Sequence, residues 1–177
     1  SVPQALNIRS LVLENFEEAL LVTDLEKRRA LMNFVIVGGG PTGTELAGAL
    51  AELKSHVLPN DYPDLDFRRM SIHLVEMADK VLPPMNNSSS AHALKYLEKL
   101  GVQVWLNTAV SGYDGKTVKT NKSELPASTL IWAAGVKGNI IAGLTEKEDF
   151  DKGRYLVNEF NQVGQNKDIF ALGDVAS

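Results

Sequence analysis

The sequence predicts an α/β fold, in which a Rossmann-like parallel sheet with crossover helices is combined with an antiparallel β meander. Phe34–Val37 is a short apolar run that ends directly at a glycine-rich turn, as a strand buried on both faces does. Two further apolar runs, Ser71–Val75 and Val102–Leu106, follow helix-like segments, which is the alternation of a parallel sheet. Asp114-Gly115 then marks a tight hairpin typical of antiparallel strands.

Helix-like segments precede and separate the first strands. Their expected ranges are 3–32, 44–54 and 91–100, with a loop holding at most a short helical turn over 55–70. Asp24 can cap a second short helix inside the first range, because its carboxylate accepts hydrogen bonds from first-turn amides. Ser88–Ser90 would cap the last helix, and Gly101 would end it.

Shorter β segments fill the second half of the chain. The strand-like runs there are 109–113, 117–120, 129–133, 155–160 and 169–172. Asn121–Glu124 makes a further turn, and the run 129–133 ends at Ala134-Gly135. Trp105 and Trp132 lie inside apolar runs, which predicts that both belong to the core.

Composition restricts the class of protein. The 177 residues carry a net charge of -4 with no long basic run, which argues against binding to nucleic acid. The lack of cysteine excludes disulfides and a thiolate nucleophile for this chain. The 3 histidines are scattered, so no metal site is expected. Because there is no apolar run of about 20 residues and no signal peptide, the expected setting is soluble and cytoplasmic.

A glycine-rich turn carries the strongest functional signal. Its members are Gly38, Gly39, Gly40, Pro41, Thr42 and Gly43. The turn follows a buried strand and opens a helix, which is the context that a dinucleotide-binding fingerprint requires. Gly38 would allow the tight turn, Gly40 would let the backbone approach a pyrophosphate, and Gly43 would let helix and strand pack closely. The free amides and the positive end of the helix dipole would then face the phosphates of the ligand.

An acid at the end of the next strand completes the fingerprint. The carboxylate of Glu76 would accept hydrogen bonds from the adenosine ribose hydroxyls and would repel a 2′-phosphate. No arginine follows closely, and Lys80 alone is a poor phosphate clamp, so the residues favour NAD over NADP. The gap from the glycines to the acid exceeds the usual ~20 residues, which we interpret as an insertion over 55–70. A solvated strand end is the alternative interpretation of Glu76.

Two positions in the helix after the turn also need an explanation. Glu45 lies in the first turn, where an acid interacts favourably with the helix dipole, and a role in ligand binding is the competing interpretation. Gly48 lies in mid-helix and costs about 1 kcal/mol relative to alanine. A close crossing of the helix over the sheet would explain this glycine.

These residues resemble a known family. The segment FVIVGGGPTGTELAGALAEL is similar to the second dinucleotide fingerprint of type II NADH dehydrogenases, the single-chain flavoproteins that pass electrons from NADH to quinone. The segments LVEMADKVLP, GVQVWLNTAV, LIWAAGV and IFALGDVAS resemble later blocks of the same family, in the same order. The resemblance covers essentially the whole chain, although the middle blocks are shared more widely among flavoproteins with two dinucleotide sites.

The resemblance implies a domain organisation and further site residues. The implied ranges are an N-terminal helical segment at 1–32, an NAD(H)-binding domain at 33–138, and the incomplete second half of an FAD-binding domain at 139–177. Ala134-Gly135 would lie beside the nicotinamide nucleotide, and Glu45 would act near the nicotinamide and the flavin. Asp174 would hydrogen-bond the ribityl or pyrophosphate region of FAD.

The sequence departs from the family pattern in what it lacks. The first glycine fingerprint, which holds the FAD adenosine phosphates, and the C-terminal amphipathic helices are not found. We therefore expect part of a longer flavoprotein that binds NAD(H), binds FAD poorly or not at all by itself, and does not reduce quinone alone. The parent would use NADH, FAD and quinone and would lie on the cytoplasmic face of the membrane through parts not found here. The resemblance also allows a homodimer.

Two alternatives stay open at the level of the sequence. The chain could supply the NAD domain of another FAD-dependent oxidoreductase, of the ferredoxin or rubredoxin reductase or sulfide:quinone type. It could also be a non-enzymatic NAD-sensing module, although no basic helix for DNA binding is present. A second glycine fingerprint in the parent chain would favour the flavoenzymes, whereas a regulatory domain would favour the sensor.

Overall fold

The computed structural model describes residues 2–135, 141, 150, 151 and 153–177. The chain divides into two compact units, Ser1–Ala134 and Gly135–Ser177. The domain boundary expected at 138 and 139 lies outside the described residues. Within the described ranges, no helix has both the length and the apolar character needed to cross a bilayer.

Helices of the first unit pack on one side of its parallel sheet. They are α1 Val2–Leu21, α2 Leu25–Leu31, α3 Pro41–His56, α4 Leu58–Asp61, α5 Asn87–Lys99 and a 3₁₀ helix at Phe67–Arg69. Asp24 caps α2 as expected, because its carboxylate accepts two first-turn amides. The cap expected at Ser88–Ser90 is wrong: the side chain of Asn86 accepts the Ser89 amide at 2.8 Å, so α5 begins earlier.

Seven strands form the two sheets of the first unit. They are β1 Asn33–Val37, β2 Ser71–Val75, β3 Gln103–Trp105, β4 Val110–Tyr113, β5 Thr117–Thr120, β6 Glu124–Pro126 and β7 Thr129–Trp132. The parallel sheet has the order β3-β2-β1-β7, and the antiparallel sheet has the order β4-β5-β6. This architecture confirms the predicted α/β fold with a β meander. Because the parallel strands run the same way, β2, β1 and β7 all end at one edge, where ligands of open α/β sheets bind.

Both faces of the parallel sheet are buried, which explains the continuous apolar runs of its strands. Phe34 and Ile36 of β1 lie on the face that packs against α1, α3 and α5. On the opposite face, Val35 packs with Val75 and with the meander. The expectation that Trp132 belongs to the core is wrong: the residue is 63% exposed, because it ends the edge strand β7.

The meander follows the expected hairpin and adds a strand. Asp114 accepts the amides of Lys116 and Thr117 at 2.9 and 2.7 Å, and Gly115 has a φ of +89°, so the tight turn forms as predicted. The strand β6 was not expected. It pairs with β5 through only three residues and contributes Leu125 to the core.

The second unit contains little regular structure among its described residues. Its strands β8 Phe150–Asp151 and β9 Arg154–Tyr155 pair antiparallel, and a 3₁₀ helix covers Gly173–Val175. The strand-like runs expected at 155–160 and 169–172 form only in part: Tyr155 belongs to β9, while Val157 and Phe170 make isolated bridges. The side chain of Asn158 instead accepts the amides of Phe160 and Gln162, and Asn161 has a φ of +61°, so the chain turns tightly there.

Candidate dinucleotide-binding site

The glycine turn connects β1 to α3 so tightly that two of its positions have no room for a side chain. Gly38 has a φ of +108°, and a β-carbon there would lie 2.8 Å from the backbone nitrogen of Ala134. A β-carbon on Gly43 would lie 1.8 Å from the carbonyl oxygen of Gly38. By contrast, a β-carbon on Gly48 would meet nothing within 4 Å, so the close crossing expected at that glycine is wrong.

The start of α3 presents free backbone donors. Gly40 caps the 16-residue helix in an extended conformation, and Pro41 is its first residue. The amide of Thr44 donates to the carbonyl of Gly40 at 3.0 Å, so the amides of Thr42 and Gly43 have no earlier helical carbonyl to bond. A β-carbon on Gly40 would meet no atom within 4 Å, which means that the space beside the turn is open. An anionic group can therefore approach the positive end of this helix.

Glu76 lies immediately after β2 and contacts the turn directly. Its Oε2 atom accepts the amide of Gly39 at 2.5 Å, and its Oε1 atom accepts the amide of Ala78 at 2.7 Å. The backbone of Glu76 is itself fixed, since its amide donates to Trp105 and its carbonyl accepts from Thr108 at 2.9 Å in both cases. An ionised carboxylate offers about four acceptor positions, so two remain for hydroxyl donors of a ligand.

The loop between β2 and α5, residues 76–86, closes over the carbonyl side of Gly39. The amide of Leu82 donates to the Gly39 carbonyl at 2.6 Å, while Leu82 itself has a φ of +50°. Its carbonyl accepts from the amide of Met85 at 2.8 Å and from the hydroxyl of Ser90 at 3.4 Å. Sequence reasoning missed Leu82, because a leucine that precedes a proline is expected to be extended rather than left-handed.

Lys80 belongs to the same loop, and its ammonium group is engaged within it. The Nζ atom donates to the carbonyl of Met85 at 2.9 Å and to Oδ1 of Asn87 at 3.1 Å. The neighbouring Val81 is fully buried and anchors the loop in the core. The two acceptors of this ammonium group thus belong to the loop and to the first residue of α5.

The β7 side of the turn is made by Ala134 and Trp132. The indole Nε1 of Trp132 donates to the Ala134 carbonyl at 2.8 Å, which fixes an exposed ring at the strand end. Trp132 and Thr42 also line a pocket of about 560 Å³ between α1 and β7. Gly135, the next residue along the chain, has a φ of +75°, a conformation that favours glycine.

Two predicted site residues, Glu45 and Asp174, take no part in the contacts described for the glycine turn. Glu45 is exposed on α3 and lines the groove between α3 and α5, and its side chain makes no hydrogen bond or ion pair among the described residues. Asp174 is exposed in the 3₁₀ helix of the second unit. The roles expected for both acids stay predictions.

A buried histidine supports the β2 side of the site. His73 of β2 accepts the indole N–H of Trp105 on its Nδ1 atom at 3.1 Å, so its own proton is on Nε2. Burial, followed by the positive charge of Arg29, lowers the pKa of His73 from 6.5 to about 4. His73 is therefore neutral near pH 7, which its hydrogen bond with Trp105 requires.

Comparison with known proteins gives consistent matches over the whole chain. The family model described as pyridine nucleotide-disulphide oxidoreductase matches residues 2–177. The type II NADH:quinone oxidoreductase Ndh of Mycobacterium tuberculosis is 33% identical, and the match covers 100% of this chain and 40% of that protein. The mitochondrial external alternative NADH-ubiquinone oxidoreductase of Yarrowia lipolytica is 30% identical, with 99% and 32% covered.

Solved structures give the same fold. NDH2 from Plasmodium falciparum in complex with NADH superimposes with a TM-score of 0.87 at 24% identity, and the match covers 99% of this chain and 38% of that one. The chain thus spans about two fifths of the length of the first relatives that it matches.

Proposed function

Since the chain belongs to the pyridine nucleotide-disulphide oxidoreductase family, we propose that it is the NAD(H)-binding part of an FAD-dependent NADH:quinone oxidoreductase. The relatives described above carry NADH:quinone or NADH-ubiquinone oxidoreductase in their names, and this chain matches 40% and 32% of their lengths. The activity would accordingly be that of the whole protein, and this chain would contribute the binding site of the hydride donor, NADH.

The observation that carries this proposal is the junction of β1, α3 and β2. The free amides of Thr42 and Gly43 and the open space at Gly40 fit a pyrophosphate. The remaining acceptor positions of Glu76 fit the two hydroxyls of an adenosine ribose, and its negative charge disfavours a 2′-phosphate. Because Lys80 is bound within its own loop, it does not offset that repulsion. NAD(H) is therefore the preferred ligand.

The other end of the ligand would lie on the β7 side. Ala134 and Gly135 would border the nicotinamide nucleotide, and Glu45 would orient the nicotinamide end. Asp174 would hydrogen-bond FAD in the whole protein. These three assignments rest on the family resemblance, and only the first is supported as well by the place of Ala134 beside Gly38.

In the whole protein, NADH would transfer a hydride to FAD and leave as NAD⁺. In the overall reaction, one NADH and one proton would reduce one quinone to hydroquinone. The part of the work done by this chain is to bind and orient the donor. We further propose that the parent is peripheral to the cytoplasmic face of the membrane, as the family resemblance implies, and that it can form a homodimer.

The proposal is tested by ligand-dependent thermal unfolding of the 177-residue chain. NADH should raise the unfolding temperature more than NADPH at equal concentration, because only NADPH brings a 2′-phosphate to Glu76. Equal stabilisation by the two nucleotides, or none by either, would contradict the proposed ligand.

A matched pair of variants localises the effect to Glu76. Glu76→Ala should weaken NADH binding, expected in the micromolar range, by about ten-fold or more, since two charge-assisted hydrogen bonds are lost. Glu98→Ala removes an exposed acid from α5 and should leave the titration unchanged. If the two variants gave identical calorimetric titrations, Glu76 would not contribute to NADH binding.

A further inference from the structure

Leu82 is in an unfavourable conformation at the place where the loop 76–86 touches the glycine turn. It has a φ of +50° although it is a bulky residue that precedes Pro83. A backbone held in this way persists only where the surroundings fix it. The conformation brings the Leu82 amide to within 2.6 Å of the Gly39 carbonyl, so fixing Leu82 also fixes the glycine turn.

Lys80 makes two side-chain hydrogen bonds that join the two arms of this loop. Its ammonium group joins a position two residues before Leu82 to the carbonyl of Met85, three residues after it, and to Asn87 at the start of α5. Met85 is also the residue whose amide donates to Leu82. The contacts of Lys80 with Met85, and of Met85 with Leu82, thus surround Leu82. Lys80 is half-buried in this position.

We propose that Lys80 is a positioning residue for the dinucleotide site: it holds the loop 76–86 closed, so that Leu82 fixes the carbonyl of Gly39 opposite Glu76. The inference rests on the proposed NAD(H) binding for its consequence, whereas the loop contact is made by residues of the chain itself. Gly39 is then held on both sides, with its amide on Glu76 and its carbonyl on Leu82. The adenosine side of the turn is rigid before the ligand arrives, which reduces the ordering cost of binding.

The test compares Lys80→Met with Lys95→Met, the same substitution at an exposed lysine of α5. In the ligand-free chain, amide hydrogen exchange at Leu82 should become faster in Lys80→Met, while the exchange of Ile36 in the buried strand β1 stays unchanged. Lys95→Met should behave like the unsubstituted chain at both amides. Unchanged exchange at Leu82 in Lys80→Met would overturn the proposal, whatever the chain binds.

Ligand titration then separates positioning from a direct charge effect. Lys80→Met should weaken NADH and ADP-ribose to the same extent, about three- to ten-fold, because both ligands carry the adenosine side. The loss should be equal at low and high salt, since a structural tie is not screened as an ammonium–phosphate attraction is. A loss that disappears at high salt would assign Lys80 to the phosphates instead. If the unsubstituted chain binds neither ligand, the proposed function fails, while the exchange result still decides the role of Lys80.

Discussion

On the β2 side of the glycine turn, hydrogen bonds fix the backbone, whereas on the β7 side close contact does. The amide and carbonyl of Gly39 are bound by Glu76 and Leu82. Gly38, on the other side, is held against Ala134, where a β-carbon would approach to 2.8 Å. The turn residues are therefore held by hydrogen bonds on the β2 side and by close contact at Gly38 on the β7 side, where the hydrogen bond from the Ala133 amide to the Val37 carbonyl, at 2.8 Å, lies just before the turn.

This difference separates the tasks of the two sides. Hydrogen bonds of Glu76 to the turn leave acceptor positions for ligand hydroxyls, so the β2 side can both shape the site and select the ligand. The β7 side offers a fixed aromatic ring and an alanine, which provide surface for a flat group but no charge. Selectivity for NADH over NADPH should thus depend on the β2 side. The nicotinamide nucleotide should be accommodated on the β7 side.

The largest effect is expected from Gly43→Ala, because this substitution displaces the turn from both the β2 side and the β7 side. Its β-carbon would lie 1.8 Å from the Gly38 carbonyl oxygen, so the turn must move. We expect a loss of about 3 kcal/mol or more in the free energy of unfolding, with no measurable NADH binding. Denaturant titration and calorimetry measure the two quantities.

Gly48→Ala is the matched control for that substitution. It lies in the same helix with no atom within 4 Å of the new β-carbon, and should raise the free energy of unfolding by about 0.5–1 kcal/mol. If Gly43→Ala were as stable as Gly48→Ala and still bound NADH, the tight junction of turn and helix would not be needed for the site.

The second effect is a pH dependence of stability that arises on the β2 side, where His73 is buried. Its pKa is about 4 in the folded chain and near 6.5 in the unfolded chain, so the unfolded chain binds the proton first as pH falls. The free energy of unfolding should therefore fall from pH 6.5 towards pH 4, by about 3 kcal/mol at most from this group.

Two variants isolate this contribution in denaturant titrations at pH 7 and pH 4.5. His73→Gln keeps an acceptor for the Trp105 indole but cannot titrate, so it should lose less stability on acidification. His92→Gln, at an exposed histidine of α5, should retain the full loss. Equal pH dependence in both variants would show that His73 is not the group responsible.

The two sides also differ in how far the sequence predicts them. Glu76 and Gly38–Gly43 follow from local patterns, because a buried strand, a glycine turn and a strand-end acid are set by neighbouring residues. The exposure of Trp132 depends on β7 being an edge strand, which is a property of sheet order and not of the run TLIW. An apolar run by itself does not give the order of the strands.

The loop 76–86 shows the same limit on the β2 side. The left-handed conformation of Leu82 is stabilised by a hydrogen bond to Gly39, which lies 43 positions earlier in the chain. No local sequence pattern predicts that contact. The start of α5 was missed for a smaller reason: Asn86 competes with the serines at 88–90 as the cap, and asparagine and serine are both good caps. Boundaries chosen among equivalent neighbours are settled by packing.

The smallest effect concerns Trp132, and it tests which end of the ligand lies on the β7 side. The chain has 2 tryptophans, and Trp105→Phe leaves Trp132, which is 63% exposed, as the sole tryptophan emitter. In this variant, acrylamide should quench the fluorescence readily, and NAD⁺ should reduce the quenching modestly by covering the indole. ADP-ribose, which lacks the nicotinamide, should protect much less. If ADP-ribose protected Trp132 as well as NAD⁺ does, the adenosine half would reach the β7 side, and the division of tasks between the two sides would have to be reversed.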